Sequence, residues 1–207
     1  LWRLAETRRK AGRTFSTNIK CMEEFPEFTF IQSAPVVYEF CREDYPALYK
    51  RLKAAAKRGS WCPEGAMYVE ADCNLTSGES LARQILYGKK FFKEEFGVDS
   101  KILWLPDVFG YTGSLPQLLK LSGVELFVTT KITTEGGAEQ PLSSFWWEGI
   151  DGSRVMGHFP LNYVNWASAS NMALWARKSL EKGGVKRWLM PYGYGDGGGG
   201  VTRADIE

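Results

Sequence analysis

The chain has 207 residues, enough for one domain with a sizeable core, and its 44% hydrophobic and 24% charged content excludes a disordered polypeptide. A net charge of +2, from 26 basic and 24 acidic side chains, comes with no basic stripe interleaved with aromatics, which argues against a nucleic-acid partner. No apolar run approaches membrane-spanning length, and the four cysteines (Cys21, Cys41, Cys62, Cys73) form no C-x-x-C pair, so reduced thiols in a cytoplasmic protein are expected.

In chain order, residues 1–13 read as a helix with a charged face carrying Arg8, Arg9, Lys10 and Arg13. Ser16 is expected to cap a second, short helix reaching Phe25. Phe28 to Gln32 is a β-prone run, and Pro46 to Lys57 is helical and stops at Gly59. Ala66 to Glu70 (AMYVE) reads as a strand. Glu79 to Phe96 carries Leu81, Ile85, Phe92 and Phe96 at helical spacing and closes at Gly97. Lys101 to Leu105 (KILWL) is a buried-type strand ended by Pro106. A loop follows, then a helix capped by Ser114 and closed by Gly123, then a strand from Val124 to Thr130. Ser144 to Ile150 and Arg154 to Phe159 flank Asp151-Gly152-Ser153 and predict a hairpin. Met172 to Lys182 is helical, Val185 to Met190 strand-like, and Thr202 with Asp205 resembles a capping box. The alternation predicts an α/β fold with a mostly parallel sheet, open or closed into a barrel. The chain opens and stops within helix-like sequence, so it is expected to be a piece of a longer domain.

In such folds chemistry collects where strands end. Asp107 follows a hydrophobic strand and Pro106, whose fixed φ stiffens the position; a nucleophile, a base, a metal ligand and a turn cap all fit. Asp196 stands in a glycine run, Gly195 to Gly200, where the backbone can approach a ligand closely. Gly193, Gly195 and Gly198 also fit G-x-G-x-x-G, a weak nucleotide-binding signal in so glycine-dense a stretch; no Lys-Ser/Thr follows, which excludes a P-loop. Two positioned carboxylates suit glycoside hydrolysis, which in its retaining form needs them about 5–5.5 Å apart. Asp72, with Glu70, Asn74 and Glu79, could rim a site for sugar hydroxyls or cap a turn. His158 is the single histidine, and one histidine cannot build a multi-His zinc site.

Four stretches, VEADCNLTSGES (69–80), WLPDVFGY (104–111), FWWEGIDGSR (145–154) and PYGYGDGGGG (191–200), resemble glycoside hydrolase family 38, the α-mannosidases, and most of all its cytosolic and bacterial class. The similarity runs in order over nearly the whole chain. It implies that residues 1–207 are part of a single catalytic domain, a β/α barrel-like fold of the seven-stranded type, incomplete in this chain. It implies retaining hydrolysis of terminal α-linked mannose from oligosaccharides with a divalent ion, zinc or another such as cobalt. Asp107 falls on the nucleophile position, which also ligates the ion; Phe109 falls beside the sugar; Asp196 falls on the motif proposed for the acid/base; Tyr163 and Asp72 are carried over as substrate contacts. A homo-oligomer is allowed for in the full-length protein. The sequence departs from the family where its His-x-Asp metal motif, expected just before Leu1, is absent, and where Arg3 and Val201 replace usual prolines. A non-catalytic carbohydrate-binding or scaffold domain and a nucleotide-binding α/β domain are the alternatives.

Overall fold

The computed structural model describes residues 2–131, 142–160, 163, 166–181, 188–195 and 197–207. Among them are α1 (Leu4–Glu24), β1 (Phe30–Gln32), α2 (Pro35–Asp44), α3 (Pro46–Arg58), β2 (Trp61–Pro63), α4 (Gly78–Phe96), β3 (Ile102–Trp104), α5 (Leu115–Leu121), β4 (Leu126–Val128), β5 (Ser144–Glu148), β6 (Arg154–His158), α6 (Ala169–Glu181) and α7 (Arg203–Ile206). The chain is a mixed α/β protein. β1 and β2 pair in parallel; a second sheet has the order β3-β4-β6-β5, parallel except for the β5–β6 hairpin that the turn Asp151-Gly152-Ser153 predicted.

Glu64 joins the two sheets. Its Oε1 accepts hydrogen bonds from the Lys101 and Ile102 amides at 3.0 and 3.1 Å and from the Ser100 hydroxyl. All six strands contribute to the lining of one apolar cavity of about 750 Å³, through side chains such as Phe30, Cys62, Trp104, Leu126, Ser144 and His158. On the other face of the larger sheet, Leu103, Phe127 and Val155 pack with Leu81, Ile85, Leu115 and Leu119 of α4 and α5 into one core. A second core gathers Phe15 and Ile19 of α1, Tyr38 of α2, Leu52 of α3, Trp61 of β2 and Phe92 of α4. Its polar atoms are satisfied in series: Trp61 Nε1 donates to the Tyr38 hydroxyl at 2.9 Å, which donates to the Gln32 carbonyl at 2.8 Å.

Three local expectations are corrected. Ser16 caps nothing; α1 runs unbroken, and the Ser16 and Thr17 hydroxyls donate back to the Arg13 carbonyl at 2.9 and 3.0 Å. Ala66 to Glu70 is not a strand because its donors are taken elsewhere. The Tyr68 amide reaches the Gln84 carbonyl, the Val69 amide the Gln84 side chain, and the Ala66 amide the Ser100 hydroxyl, all at 2.9 Å. The strand at this point is instead β2, too short to show a period. Residues 188–190 form no strand, and the rest of the one expected over Val185–Met190 lies outside the described residues. The capping box is present: the Asp205 carboxylate accepts from the Thr202 amide and hydroxyl at 2.9 and 2.6 Å. All four thiols are free.

Candidate active site

The parallel register delivers the site. Trp104 of β3 lies beside Val128 of β4, which lies beside His158 of β6, so the carboxyl ends of these strands open at one rim. Asp107 and Lys131 each stand three residues beyond the paired Trp104 and Val128, and they arrive side by side. Lys131 Nζ lies 3.0 Å from Asp107 Oδ1. Thr130 ties the two exits together, its hydroxyl donating to the Pro106 carbonyl at 2.6 Å.

The loop after β3 turns Asp107 and Phe109 outward. Val108 is buried in the first core, and the Tyr111 hydroxyl donates back to the Leu105 carbonyl at 2.8 Å. With those two anchors inside, Asp107 keeps 44% of its side chain open and Phe109 62% of its surface. Gly110 has a φ of +134°, and a Cβ there would sit 2.0 Å from Asn74 Nδ2, so the loop lies directly on the 72–75 turn. Phe109 and Tyr163 both face the Lys131 ammonium, at 4.9 and 5.4 Å from their ring centres.

Electrostatics bind the group together. Hydrogen bonding to Asp107 raises the Lys131 pKa, with Tyr163 contributing in the same direction. The Tyr163 hydroxyl is raised first by burial and then by the Asp107 charge. Glu70, in the segment after β2, accepts a 2.8 Å hydrogen bond from the Ser33 hydroxyl, just beyond β1. Burial raises the Glu70 pKa, the Ser33 bond opposes this, and the Asp107 charge adds to it. Glu70 nevertheless stays open to solvent.

Of the residues singled out from sequence, Asp107, Phe109, Tyr163 and Glu70 come together. Asp72 takes the turn-capping role: its Oδ1 accepts the Asn74 and Leu75 amides, both at 2.8 Å. Glu79 turns away to pair with Arg83 at 2.8 Å. Asp196 lies outside the described residues. Lys131 and Ser33 were not anticipated; only the register of parallel strands marks them. The glycine run offers phosphate little, since the Gly197 amide is used by the Gly195 carbonyl and the Gly199 amide by the Thr14 hydroxyl. Among the described residues no three His, Cys, Asp or Glu side chains gather as a metal-binding group, and Asp107 is matched by a lysine. The residues described here therefore do not by themselves fit a zinc ion. Among them, too, no helix is long and apolar enough to cross a membrane.

The model of the glycosyl hydrolases family 38 N-terminal domain matches residues 1–207. Alpha-mannosidase G of Dictyostelium discoideum is 41% identical over 209 residues, covering 100% of this chain and 19% of its own length. Alpha-mannosidase 2C1 of Homo sapiens is 39% identical over 209 residues, covering 100% of this chain and 20% of its own. The chain thus spans about a fifth of the length of these curated relatives. A family 38 glycosyl hydrolase structure from Enterococcus faecalis superposes with a TM-score of 0.71 at 21% identity, covering 93% of this chain and 22% of that one, and so shares its fold. On the family match and on identity across its full length, the chain belongs to glycosyl hydrolase family 38, within its N-terminal domain.

Proposed function

We propose that this chain supplies the nucleophile-bearing part of a retaining α-mannosidase that removes terminal α-linked mannose from oligosaccharides in the cytoplasm. The observation that carries the reading is Asp107, open at the carboxyl rim of a parallel sheet, with one carboxylate oxygen held by Lys131 and an exposed aromatic ring two residues on. In this mechanism Oδ1 stays with Lys131 while Oδ2 attacks the anomeric carbon and forms a glycosyl ester. Asp196 gives its proton to the departing oxygen. It then takes a proton from the water that opens the ester, and the configuration is retained. Phe109 and Tyr163 pack against the sugar, and Glu70 accepts hydrogen bonds from its hydroxyls. Asp72 contributes indirectly, by fixing the turn on which Gly110 rests.

The six strands are proposed to belong to a β/α barrel of the seven-stranded type, to which further strands would be added. Their shared lining of one apolar cavity supports this. A divalent ion, zinc or cobalt, belongs to the proposal only as one that Asp107 would help to hold with ligands from outside this chain, and no step above depends on it. The glycine-run geometry weighs against the nucleotide-binding alternative.

Proton NMR of a freshly hydrolysed aryl α-mannoside tests the reaction. With the enzyme that carries this chain, the α-anomer of mannose is expected first. The Asp107→Asn variant is expected to lose about 10³-fold or more in kcat. The β-anomer as first product would overturn the retaining mechanism.

A further inference from the structure

The glycine run is fastened to α1, and the fastening points to residues with a role in the reaction. Both feet of the segment are fixed: Tyr192 and Val201 pack into the second core. A 3.0 Å hydrogen bond from the Tyr194 amide to the Gly200 carbonyl closes its neck. Gly197 to Gly200 lie along one stripe of α1, where Lys10, Thr14 and Asn18 recur every four residues with Arg13 beside them. Arg13 Nη2 donates to the Gly197 carbonyl at 2.6 Å, and the Gly199 amide donates to Thr14 Oγ1 at 3.0 Å. Asn18 is fully buried beneath, and a Cβ on Gly200 would meet its Nδ2 at 2.6 Å. Gly198, Gly199 and Gly200 have φ of +64°, +124° and +87°. The glycines thus serve a close approach to a helix in a conformation other residues resist, rather than slack.

The neighbours of Arg13 in the basic cluster are otherwise engaged. Arg8 pairs with Glu43 and Asp44, Arg9 with Glu6, and Lys10 lies over the Trp2 ring. Arg13 alone of the four reaches the glycine run by a hydrogen bond among the described residues.

We propose that Arg13 and Thr14 are positioning residues, clamping the glycine run to α1 so that Asp196, between Gly195 and Gly197 in the chain, is presented to the leaving oxygen. This rests on the reading of Asp196 as acid/base. A run of glycines left unclamped samples many conformations, and a proton donor misplaced by about 1 Å loses much of its rate advantage.

The test is leaving-group dependence in the enzyme that carries this chain. The ratio of kcat/KM for methyl α-mannoside to that for 2,4-dinitrophenyl α-mannoside is measured in Arg13→Met, Thr14→Val, Arg13→Lys and Asp196→Asn. Dinitrophenolate departs without a proton; methanol does not. Arg13→Met and Thr14→Val are each expected to lower the ratio about tenfold, a fraction of what a positioned acid contributes. Arg13→Lys should recover most of it, and Asp196→Asn should lower it furthest. Equal losses on both substrates, or an unchanged ratio, in Arg13→Met and Thr14→Val would overturn the clamp while a shifted Asp196→Asn left the acid/base reading standing. An unchanged ratio in Asp196→Asn would remove that reading and the clamp with it.

Discussion

Asp107 and Lys131 lie 24 positions apart in the sequence and 3.0 Å apart in space, and the parallel pairing of β3 with β4 is the reason. Asp107 is singled out without a structure, as a carboxylate directly after a hydrophobic strand and a proline, although a turn cap fits that position equally well. Lys131 cannot, since nothing in the sequence separates it from the other 25 basic residues until register is known. Glu70 is intermediate: its place in the VEADCN stretch is visible, but its partner Ser33 and its nearness to Asp107 are tertiary facts. The raised pKa of Glu70 has a consequence for stability. The folded chain holds that proton at a pH where the unfolded chain, with an ordinary carboxyl pKa of about 4.3, has released it. Stability is therefore lost as pH rises from the unfolded through the folded pKa, and an ionised Glu70 costs the fold something at neutral pH. Glu70→Gln should raise Tm at pH 7 by roughly 1–2 °C, a small effect because the group remains open to water. The gain should shrink towards pH 4. Melting curves across that range check it, and a lower Tm at pH 7 would contradict the sign.

At the scale of elements, the helices with strong stop signals were legible: Gly59 and Gly97 close α3 and α4 in the left-handed region, at φ of +86° and +73°. What misled was the segment 66–70, where a short apolar run, Ala66 to Val69, imitates a strand. α4 presses against its backbone and takes its hydrogen bonds. The contact depends on Gly88, where a Cβ would stand 2.1 Å from the Ala66 carbonyl oxygen and 2.5 Å from the Met67 carbonyl carbon. Backbone cannot yield as a flexible side chain would. Gly88→Ala should therefore destabilise the chain by about 1–3 kcal/mol despite the better helix propensity of alanine. Urea denaturation measures this, and a stabilised variant would show that the helix does not sit where it is described. Because the 66–70 segment leads into Glu70 and Asp72, the same variant should also weaken binding of a mannose-like inhibitor.

At the scale of the whole molecule, the α/β class and the hairpin were readable from periodicity and turn chemistry, while the two cores and the shared cavity were not. The cavity is walled by Phe30, Trp104, Leu126 and their neighbours, and its lining is largely apolar. Metal binding belongs at this scale because Asp107 is matched by Lys131 and no three metal-ligating side chains gather among the described residues. The 207-residue chain by itself should bind zinc more weakly than about 10 μM, since too few donors converge to displace the metal's water. Isothermal titration would contradict this if it showed tight, stoichiometric binding. The central claim, that Asp107 becomes covalently bonded to the sugar, is tested most directly by trapping. The enzyme that carries this chain is incubated with a fluorinated α-mannosyl fluoride that forms the glycosyl ester faster than water opens it, then digested and analysed by tandem mass spectrometry. The expected result is one sugar per chain, attached to Asp107; a label on any other carboxylate, with Asp107 unmodified in an inactivated enzyme, would contradict it.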